Sequence, residues 1–440
     1  MWPIGRSFSS QNLFLCLVIC QVVVCMLFVI YRNTQSLEHR LAILTSRWAA
    51  REDGFDFPEG PWNVTDSDVV RCSDLINGRF PSEAAINRTI DAIRETVIKD
   101  YEFIELTRDC TKFAWERGYY NKPITKEELD FPLAYTILMY RSVHQVEQLL
   151  RTIYRPQNIY CIHIDSKSPP LVHIGMERIS RCFDNVFIAS NLENVYWGTI
   201  NIVKAERHCQ KDLLNRTDVS NWKYLINLTG QEFPLKTNLE IVQILKEFKG
   251  QNDIRTLAQP VEEWTYYRHV LEGDTIRQTT LLKTEPPPDK VPVHKGPFFS
   301  ALARQFVEFL QSDIADKWLE WFNDTKNADE SFTQTLASYP NAPGGPGPIG
   351  SKAIISRDIV WSSERLRERR PCYGKFVRRV CVHSWRDLVR VSKSIRLFAN
   401  KFHVEYDGLV LQCLEEAIHN KTHNPPMLTF HFIDDFSSSE

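Results

Sequence analysis

Between residues 131 and 229 the chain alternates short apolar runs with segments whose apolar residues recur at helical spacing. Residues 133–140 predict a strand, and the next helix carries apolar residues at i, i+3, i+4 and i+7, namely Val146, Leu149, Leu150 and Ile153. Ser142 stands where the N-cap of this helix is expected. The same reasoning predicts further helices over residues 171–182 and 202–213, and further strands over residues 159–164, 186–189 and 224–228.

Four strands separated by helices imply βαβ units, which build a mostly parallel sheet with right-handed crossovers. The predicted fold class is therefore α/β. No Gly-x-Gly-x-x-Gly or Walker sequence opens any of these helices, so ordinary dinucleotide-binding and P-loop folds have no support. The second half is less regular, with helices predicted over residues 238–246 and 301–310 and Pro/Gly-rich loops at residues 286–297 and 340–350.

The run that begins at Ile159 ends abruptly in the polar residues Asp165, Ser166 and Lys167. A near-continuous apolar run is typical of a parallel strand that is covered on both faces. Ligands of open α/β sheets bind outside the carboxyl ends of the strands. Asp165 therefore either contacts a ligand or caps the following helix, and the pattern alone leaves both interpretations open.

Residues 13–31 are almost wholly apolar, and this length reaches the minimum needed to cross a bilayer. No small-residue cleavage site follows, so we interpret the segment as an uncleaved signal anchor. The predicted organisation is a tail of residues 1–12, a transmembrane anchor of residues 13–31, a stem of residues 32–70 and a body of residues 71–440. A composition of 43% hydrophobic and 25% charged residues indicates a folded body, and a net charge of -2 gives no indication of nucleic-acid binding.

Sequons and cysteines place the body in an oxidising lumen. All six Asn-x-Ser/Thr sequons follow the anchor, at Asn63, Asn87, Asn215, Asn227, Asn323 and Asn420. Beyond the anchor there are eight cysteines, at Cys72, Cys110, Cys161, Cys182, Cys209, Cys372, Cys381 and Cys413. An even number suits disulfide formation, although spacing alone does not choose the pairs. No pair has Cys-x-x-Cys spacing, which argues against a zinc site.

Three sets of residues are candidates for chemistry. Glu330 follows Asp329 at a predicted helix start, where it either complements the helix dipole or acts as a general base. Arg378 and Lys401 each stand beside apolar runs and are either solvated edge residues or partners of phosphate. Trp361 is either a core residue or a platform on which a sugar stacks.

Together these motifs resemble the core 2 β-1,6-N-acetylglucosaminyltransferase family, type II Golgi enzymes that branch mucin-type O-glycans. The resemblance covers about residues 70–425 and is densest in residues 131–189, 221–244 and 397–413. It implies a GT-A-like nucleotide-sugar fold behind the anchor, inversion at the anomeric carbon, and no requirement for a divalent metal or other cofactor. Residues 71–440 would then be the catalytic domain, in the Golgi lumen.

Position by position, the resemblance makes Glu330 the catalytic base, and Arg378 and Lys401 the pair that neutralises the diphosphate. Asp165 and Leu138 match nucleotide-contacting positions, and Trp361 matches an acceptor-site aromatic residue. The resemblance also implies the disulfides Cys72–Cys413, Cys110–Cys182, Cys161–Cys209 and Cys372–Cys381.

The chain departs from the family at positions that contact sugar. Where the family usually has Trp-Glu-Tyr, this chain has Trp361, Ser362 and Ser363, followed by a shorter loop. An acidic acceptor contact is replaced in the stretch around Arg255, and the aromatic residue three positions after the base is Thr333. The sequence therefore predicts the reaction class more firmly than the identity of either sugar.

The predicted activity transfers a sugar from UDP-GlcNAc, or alternatively UDP-Glc, to the 6-hydroxyl of GalNAc or Gal in an O-glycan of a glycoprotein. A peptide O-xylosyltransferase is one alternative, although it generally needs an extra domain. A membrane-anchored, catalytically inactive glycan-binding relative is another, because the altered acceptor positions also fit loss of activity. The oligomeric state stays open, a homodimer included.

Overall fold

The computed structural model describes residues 69–120, 124–216, 221–258, 267–348, 354–363 and 370–425. The predicted tail and anchor, and all of the predicted stem except residues 69 and 70, lie outside the described residues. Among the helices of the described ranges, none has the length and apolar character needed to cross a membrane.

The helices in chain order are α1 Cys72–Ile76, α2 Glu83–Glu95, α3 Glu102–Leu106, α4 Cys110–Arg117, α5 Lys126–Asp130, α6 Val143–Ile153, α7 Pro170–Ser180, α8 Asn201–Asn215, α9 Asn238–Glu247, α10 Arg304–Phe309, α11 Asp313–Trp321, α12 Phe332–Ala337, α13 Leu388–Val391 and α14 Gly408–His423. Short 3-10 helices span Pro288–Lys290, Ala328–Glu330 and Trp385–Asp387. The strands are β1 Leu133–Met139, β2 Ile159–Ile164, β3 Val186–Ile188, β4 Tyr224–Thr229, β5 Glu232–Pro234, β6 Leu257–Ala258, β7 Tyr267–Glu272, β8 Thr275–Leu282, β9 His294–Lys295, β10 Ala301–Ala303, β11 Arg357–Ile359, β12 Lys375–Val377, β13 Val380–Val382 and β14 Phe398–Asn400.

A five-stranded central sheet has the order β10-β4-β1-β2-β3. β1 is parallel to β2 and to β4, and β2 is parallel to β3, whereas β10 is antiparallel to β4. The prediction of an α/β protein with a mostly parallel sheet is thus confirmed. Ser142 caps α6 as predicted, since its side chain accepts a hydrogen bond from the backbone N–H of Gln145.

The prediction of one helix over residues 301–310 is wrong at its start. Ala301–Ala303 instead pairs with β4 as the edge strand β10, and the helix begins at Arg304. All three residues are buried against the sheet, so their pairing and burial outweigh the helix preference of alanine.

A second sheet, of order β11-β14-β5, positions Lys401 directly after β14. β14 is parallel to β11 and antiparallel to β5. Arg357 on β11 and Glu232 on β5 form a buried ion pair of 2.8 Å between Nε and Oε2, with neither side chain exposed. Arg357 also donates a hydrogen bond to the backbone carbonyl of Asn227 on β4, which joins the two sheets.

Four disulfides link the pairs that the family resemblance implies, Cys72–Cys413, Cys110–Cys182, Cys161–Cys209 and Cys372–Cys381. Cys72–Cys413 spans 341 positions of sequence and joins α1 to α14, within an apolar cluster that includes Leu409 and Leu414. It therefore ties the start of the described body to its last helix.

Asn227 is unsuited to glycosylation, which corrects its place among the candidate sequons. Its side chain is buried in β4, accepts a hydrogen bond from the backbone N–H of Ser300 at 2.9 Å and donates one to the carbonyl of Phe298 at 2.9 Å. An attached glycan would have no room and would displace both contacts. The other described sequons, Asn87, Asn215, Asn323 and Asn420, are exposed, and Asn63 lies outside the described residues.

Candidate active site

The carboxyl ends of β1, β2 and β4 meet at one edge of the central sheet. The backbone N–H of Asp165, directly after β2, donates to the carbonyl of Met139 at 2.8 Å. The carbonyl of Leu138 accepts from the backbone N–H of Gly230 at 2.9 Å. Leu138 and Asp165 therefore lie on neighbouring strand ends, where open α/β sheets bind ligands.

The Asp165 carboxylate is already paired within the chain. Lys167 Nζ lies 3.0 Å from each of its oxygens and also donates to the carbonyl of Val195 at 2.7 Å. The same ammonium group lies 4.1 Å from the centre of the Tyr196 ring. A single carboxylate that is neutralised by a lysine is a poor divalent metal site, because such a site needs several anionic oxygen ligands.

Another group of potential metal ligands in the described part of the chain is Cys381, His383 and Asp387. The Cys381 sulfur is bonded to that of Cys372 at 2.03 Å, so it provides no thiolate. Neither this group nor Asp165 has the ligand set of a metal site.

Arg378 and Arg379 form the turn between β12 and β13. Their φ angles are 51° and 66°, so both occupy the left-handed region, as in the two-residue turns that favour Asn and Gly. Such a conformation costs free energy for a residue with a Cβ and is common at functional sites. The backbone N–H of Ser362 donates to the carbonyl of Arg379 at 2.8 Å, and Trp361 bridges to Val380. Trp361 is therefore placed beside the arginine turn.

Lys401 lies next to the same hairpin. Its backbone N–H donates to the carbonyl of Cys381 at 3.3 Å, and its carbonyl accepts from the N–H of His383 at 2.9 Å. Burial, together with the charges of Arg378 and Arg141, lowers the pKa of Lys401 to about 8. The structure thus brings together the two cations that lie 23 positions apart in the sequence.

Arg141 and His403 were missed by the sequence reasoning. His403 Nε2 accepts hydrogen bonds from Gln231 Nε2 at 2.8 Å and from Arg141 Nη2 at 3.4 Å. Burial and the charges of Arg141, Lys401 and Lys375 lower the pKa of His403 to about 4, so the imidazole is neutral at pH 7 and able to accept both bonds. The available signal for Arg141 was its position two residues after the end of β1.

Glu330 lies in the 3-10 helix Ala328–Glu330, and α12 begins two residues later at Phe332. The prediction that Glu330 belongs to the first turn of an α-helix is therefore wrong in this detail. Its Oε2 lies 3.3 Å from Lys295 Nζ, and its side chain is 30% exposed, which leaves the carboxylate accessible to a substrate. Burial and the neighbouring Glu330 carboxylate raise the pKa of Asp329 to about 7.

One loop connects Glu330 to the strand end at Asp165. The backbone N–H of Ser166 donates to the carbonyl of Glu193 at 3.0 Å, at the start of this loop. At its end the carbonyl of Gly198 accepts from the N–H of Asn327 at 2.8 Å. Trp197, between them, is 57% exposed and is a second aromatic surface that the sequence reasoning missed.

The backbone of Gly296 lies against both Glu330 and Arg255. The backbone N–H of Gly296 donates to the carbonyl of Glu330 at 2.9 Å. A Cβ at Gly296 would lie 1.9 Å from the carbonyl oxygen of Arg255, so only glycine permits this approach of the two backbones. The substituted position Arg255 and the candidate base are therefore neighbours in space.

The arrangement combines a cationic cluster with an accessible carboxylate. Guanidinium and ammonium groups that are held close together favour a ligand with several negative charges, such as a diphosphate. An ionised carboxylate can take a proton from a hydroxyl group.

Comparisons with known proteins indicate what this chain is similar to. A protein-family model described as Core-2/I-Branching enzyme matches residues 133–382. The chain is 36% identical over 334 residues to a human protein named beta-1,3-galactosyl-O-glycosyl-glycoprotein beta-1,6-N-acetylglucosaminyltransferase, a match that covers 73% of this chain and 77% of the human protein. A Bos taurus protein of the same name is 36% identical over 384 residues, covering 83% and 87% of the two chains. One from Bovine herpesvirus 4 is 34% identical over 370 residues, covering 80% and 83%.

Proposed function

We propose, because this chain belongs to the Core-2/I-branching enzyme family and is a glycosyltransferase, that it moves N-acetylglucosamine from UDP-GlcNAc to the 6-hydroxyl of GalNAc or Gal in mucin-type O-glycans. The observation that carries the proposal is the convergence of Arg378, Lys401 and Arg141 beside the strand ends of Leu138 and Asp165. A uridine diphosphate has the charge that such a cluster would bind.

In the proposed reaction Glu330 takes the proton of the acceptor 6-hydroxyl. The O6–C1 bond forms as the bond from C1 to the diphosphate oxygen breaks, with inversion at C1. The electron pair of the broken bond leaves on UDP, whose negative charge Arg378 and Lys401 stabilise. Arg141 adds a third positive charge to this side. Its guanidinium group donates a hydrogen bond to the ring of His403, and Gln231 donates a second hydrogen bond to the same ring.

Three protein cations would perform the charge neutralisation that a divalent metal performs in many nucleotide-sugar enzymes, so we expect transfer without added metal. Lys167 occupies the place beside Asp165 where a second metal-binding carboxylate would be needed. Lys167 pairs with Asp165 and also donates a hydrogen bond to the carbonyl of Val195. This supports a role for Asp165 in holding the loop that contains Val195 in place, rather than in binding an ion.

The acceptor side carries the changes that separate this chain from its relatives. Ser362 and Ser363 follow Trp361, and Arg255 and Thr333 lie close to Glu330 in space or in sequence. UDP-Glc as donor, or an acceptor other than the core 1 disaccharide, is therefore part of the proposal. An inactive glycan-binding protein is the second candidate, and the same substitutions favour it.

We place the protein in the Golgi membrane as a single-pass type II protein with a lumenal catalytic domain. The four disulfides and the exposed sequons support an oxidising, glycosylating compartment. The proposed partners are the UDP-sugar donor, the O-glycan of a glycoprotein and the membrane.

A donor and acceptor panel tests the proposed function. Full-length protein purified in detergent is incubated in EDTA with UDP-GlcNAc, UDP-Glc, UDP-GalNAc or UDP-xylose, and with core 1 disaccharide, a GalNAc-peptide or a Ser-peptide. We expect transfer from UDP-GlcNAc or UDP-Glc to the sugar acceptors. Transfer from UDP-xylose to the Ser-peptide would contradict the proposal, and UDP binding without any transfer would favour the inactive relative.

The lowered pKa of Lys401 predicts a pH dependence of UDP binding. Lys401 loses its proton as the pH rises through about 8, so its contribution to binding is present below that pH and is lost above it. Titration calorimetry should show weaker UDP binding at about pH 9.5 than at about pH 7. The Lys401→Arg variant keeps its charge over this range and should show a flatter profile, whereas equal profiles for both proteins would contradict the prediction.

A further inference from the structure

Residues 193–198 form the loop that joins the strand end at Asp165 to the segment of Glu330, and we call them the connecting loop. Its last residue is fixed by the hydrogen bond from the N–H of Asn327 to the carbonyl of Gly198, at 2.8 Å. Its first residue is Glu193, which takes no part in the reaction proposed above. The contacts of Glu193 fix the other end of the loop.

Both backbone polar groups of Glu193 are bound by the end of β2 and the corner after it. The N–H donates to Nε2 of His163 at 2.8 Å, and the carbonyl accepts from the N–H of Ser166 at 3.0 Å. Burial and the neighbouring His208 lower the pKa of His163 to about 4, so its ring is neutral at pH 7 and Nε2 can accept this bond. Because His163 is buried, Glu193 satisfies a ring nitrogen that would otherwise lack a partner.

Both carboxylate oxygens of Glu193 are bound by α8. Oε1 accepts a hydrogen bond from Nε2 of His208, and Oε2 accepts one from Nδ2 of Asn201, each at 2.9 Å. Burial opposes ionisation of Glu193, but the hydrogen bonds from His208 and Asn201 outweigh burial and lower its pKa. The carboxylate is therefore ionised at pH 7 and links the connecting loop to the helix that follows it.

The next two residues of the connecting loop contact the corner after β2. The hydroxyl of Ser166 donates to Oδ1 of Asn194 at 2.6 Å. Lys167 Nζ donates to the carbonyl of Val195 at 2.7 Å and pairs with both carboxylate oxygens of Asp165 at 3.0 Å. The position of Val195 therefore determines where the Lys167 ammonium group lies, and with it the side chain of Asp165.

We infer that Glu193 is a positioning residue for donor binding, which fixes the connecting loop so that Lys167 and Asp165 lie in place before the nucleotide binds. The inference rests on the proposed function, in which Asp165 lies at the nucleotide site. Loss of the Glu193 side chain leaves Nε2 of His208 and Nδ2 of Asn201 without their acceptor. The loop then leaves its position in most molecules, and the apparent donor affinity falls to the fraction in which it stays.

Glu193→Ala, made in the full-length protein in detergent, is expected to weaken UDP binding about tenfold and to raise KM for the UDP-sugar by a similar factor. KM for the acceptor should change by less than about twofold, because Gly198 keeps its bond to Asn327. Titration calorimetry and saturation kinetics with each substrate measure these effects. Glu193→Gln should recover most of the affinity, since an amide of the same shape can still bond to His208 and Asn201.

Two further measurements separate positioning from a general loss of structure. His208→Ala removes one of the two side-chain partners of Glu193, at a side chain that is 28% exposed, and should weaken UDP binding about threefold. In the Lys167→Met background, Glu193→Ala should cost little further affinity, since the loop no longer holds Asp165 through Lys167. A loss of the same size in both backgrounds would contradict the inference.

Asp212→Ala is the matched control. Asp212 accepts hydrogen bonds from the N–H and the hydroxyl of Ser190 at 2.7 and 2.8 Å, so it joins the same helix to the chain three residues before Glu193. This variant should bind UDP as the unchanged protein does.

The inference is overturned if Asp212→Ala weakens UDP binding as much as Glu193→Ala, if the donor and acceptor KM values rise together, or if Glu193→Ala binds UDP as tightly as the unchanged protein. Each of these results would leave the proposed function intact. An unchanged protein that binds no UDP would instead overturn the proposed function together with the role of Glu193.

Discussion

Glu330→Gln is expected to lower kcat for sugar transfer by about 10²- to 10⁴-fold, because glutamine cannot accept the proton of the acceptor hydroxyl. UDP binding should be unchanged, since the proposed reaction places Glu330 on the acceptor side and its near cation is Lys295 rather than Arg378 or Lys401. The side chains differ little in size, so the 3-10 helix Ala328–Glu330 should persist. Transfer rates and UDP calorimetry on the same preparation separate the two effects.

Asp329→Asn is the matched control, because Asp329 is the adjacent carboxylic acid and has a pKa raised to about 7. If Glu330 is the base, Asp329→Asn should retain most of the activity and Glu330→Gln should not. A larger loss of kcat in Asp329→Asn would move the role of base to Asp329. Full activity in Glu330→Gln would rule out Glu330.

Arg378→Ala is expected to lower kcat/KM by about 10²- to 10³-fold, because it removes a positive charge that, in the proposed reaction, stabilises the departing diphosphate. UDP affinity should fall as well, since the same charge acts on bound product. Donor saturation kinetics and UDP calorimetry measure the two effects. Lys401→Ala should behave alike, and the double variant should lose less than the sum of the two single losses because the groups act on one ligand.

Arg379→Ala provides a control within the same turn. Arg379 has the same charge, a similar exposure and a left-handed backbone like that of Arg378, but only Arg378 contributes to the lowered pKa of Lys401. We expect Arg379→Ala to bind UDP nearly as tightly as the unchanged protein. Equal losses at both positions would indicate that the turn matters through its conformation or overall charge rather than through Arg378.

The strands and helices of the central sheet were predictable because burial imposes a local period on the sequence. β1, α6 and β2 lie within one residue or so of the predicted bounds. Ala301–Ala303 was not predictable in this way, because a strand of three residues has no period of its own and is defined by its partner, β4. The burial of Asn227 could not be predicted for the same reason. Its sequon consists of three consecutive residues, whereas the burial of its side chain depends on how the strands pair in the sheet.

A residue of the candidate site was predictable only where it follows a clear sequence pattern or matches a position of the family. Asp165 follows a clear strand, and the pairing of Arg378 with Lys401 came from the family resemblance. The contact of Arg141 with His403 joins residues 262 positions apart, and nothing local in the sequence indicates it. The turn conformation of Arg378 and Arg379 was also hidden, because arginine is not a residue that favours positive φ.

The most direct test of the central claim is the structure of the product made from UDP-GlcNAc and core 1 disaccharide in EDTA. NMR of the purified trisaccharide reports both the anomeric configuration of the new sugar and the carbon to which it is attached. We predict a β-linked GlcNAc on the 6-position of GalNAc, formed by the unchanged protein and not by Glu330→Gln. An α-linkage, attachment at another carbon, or a reaction that stops in EDTA would contradict the account.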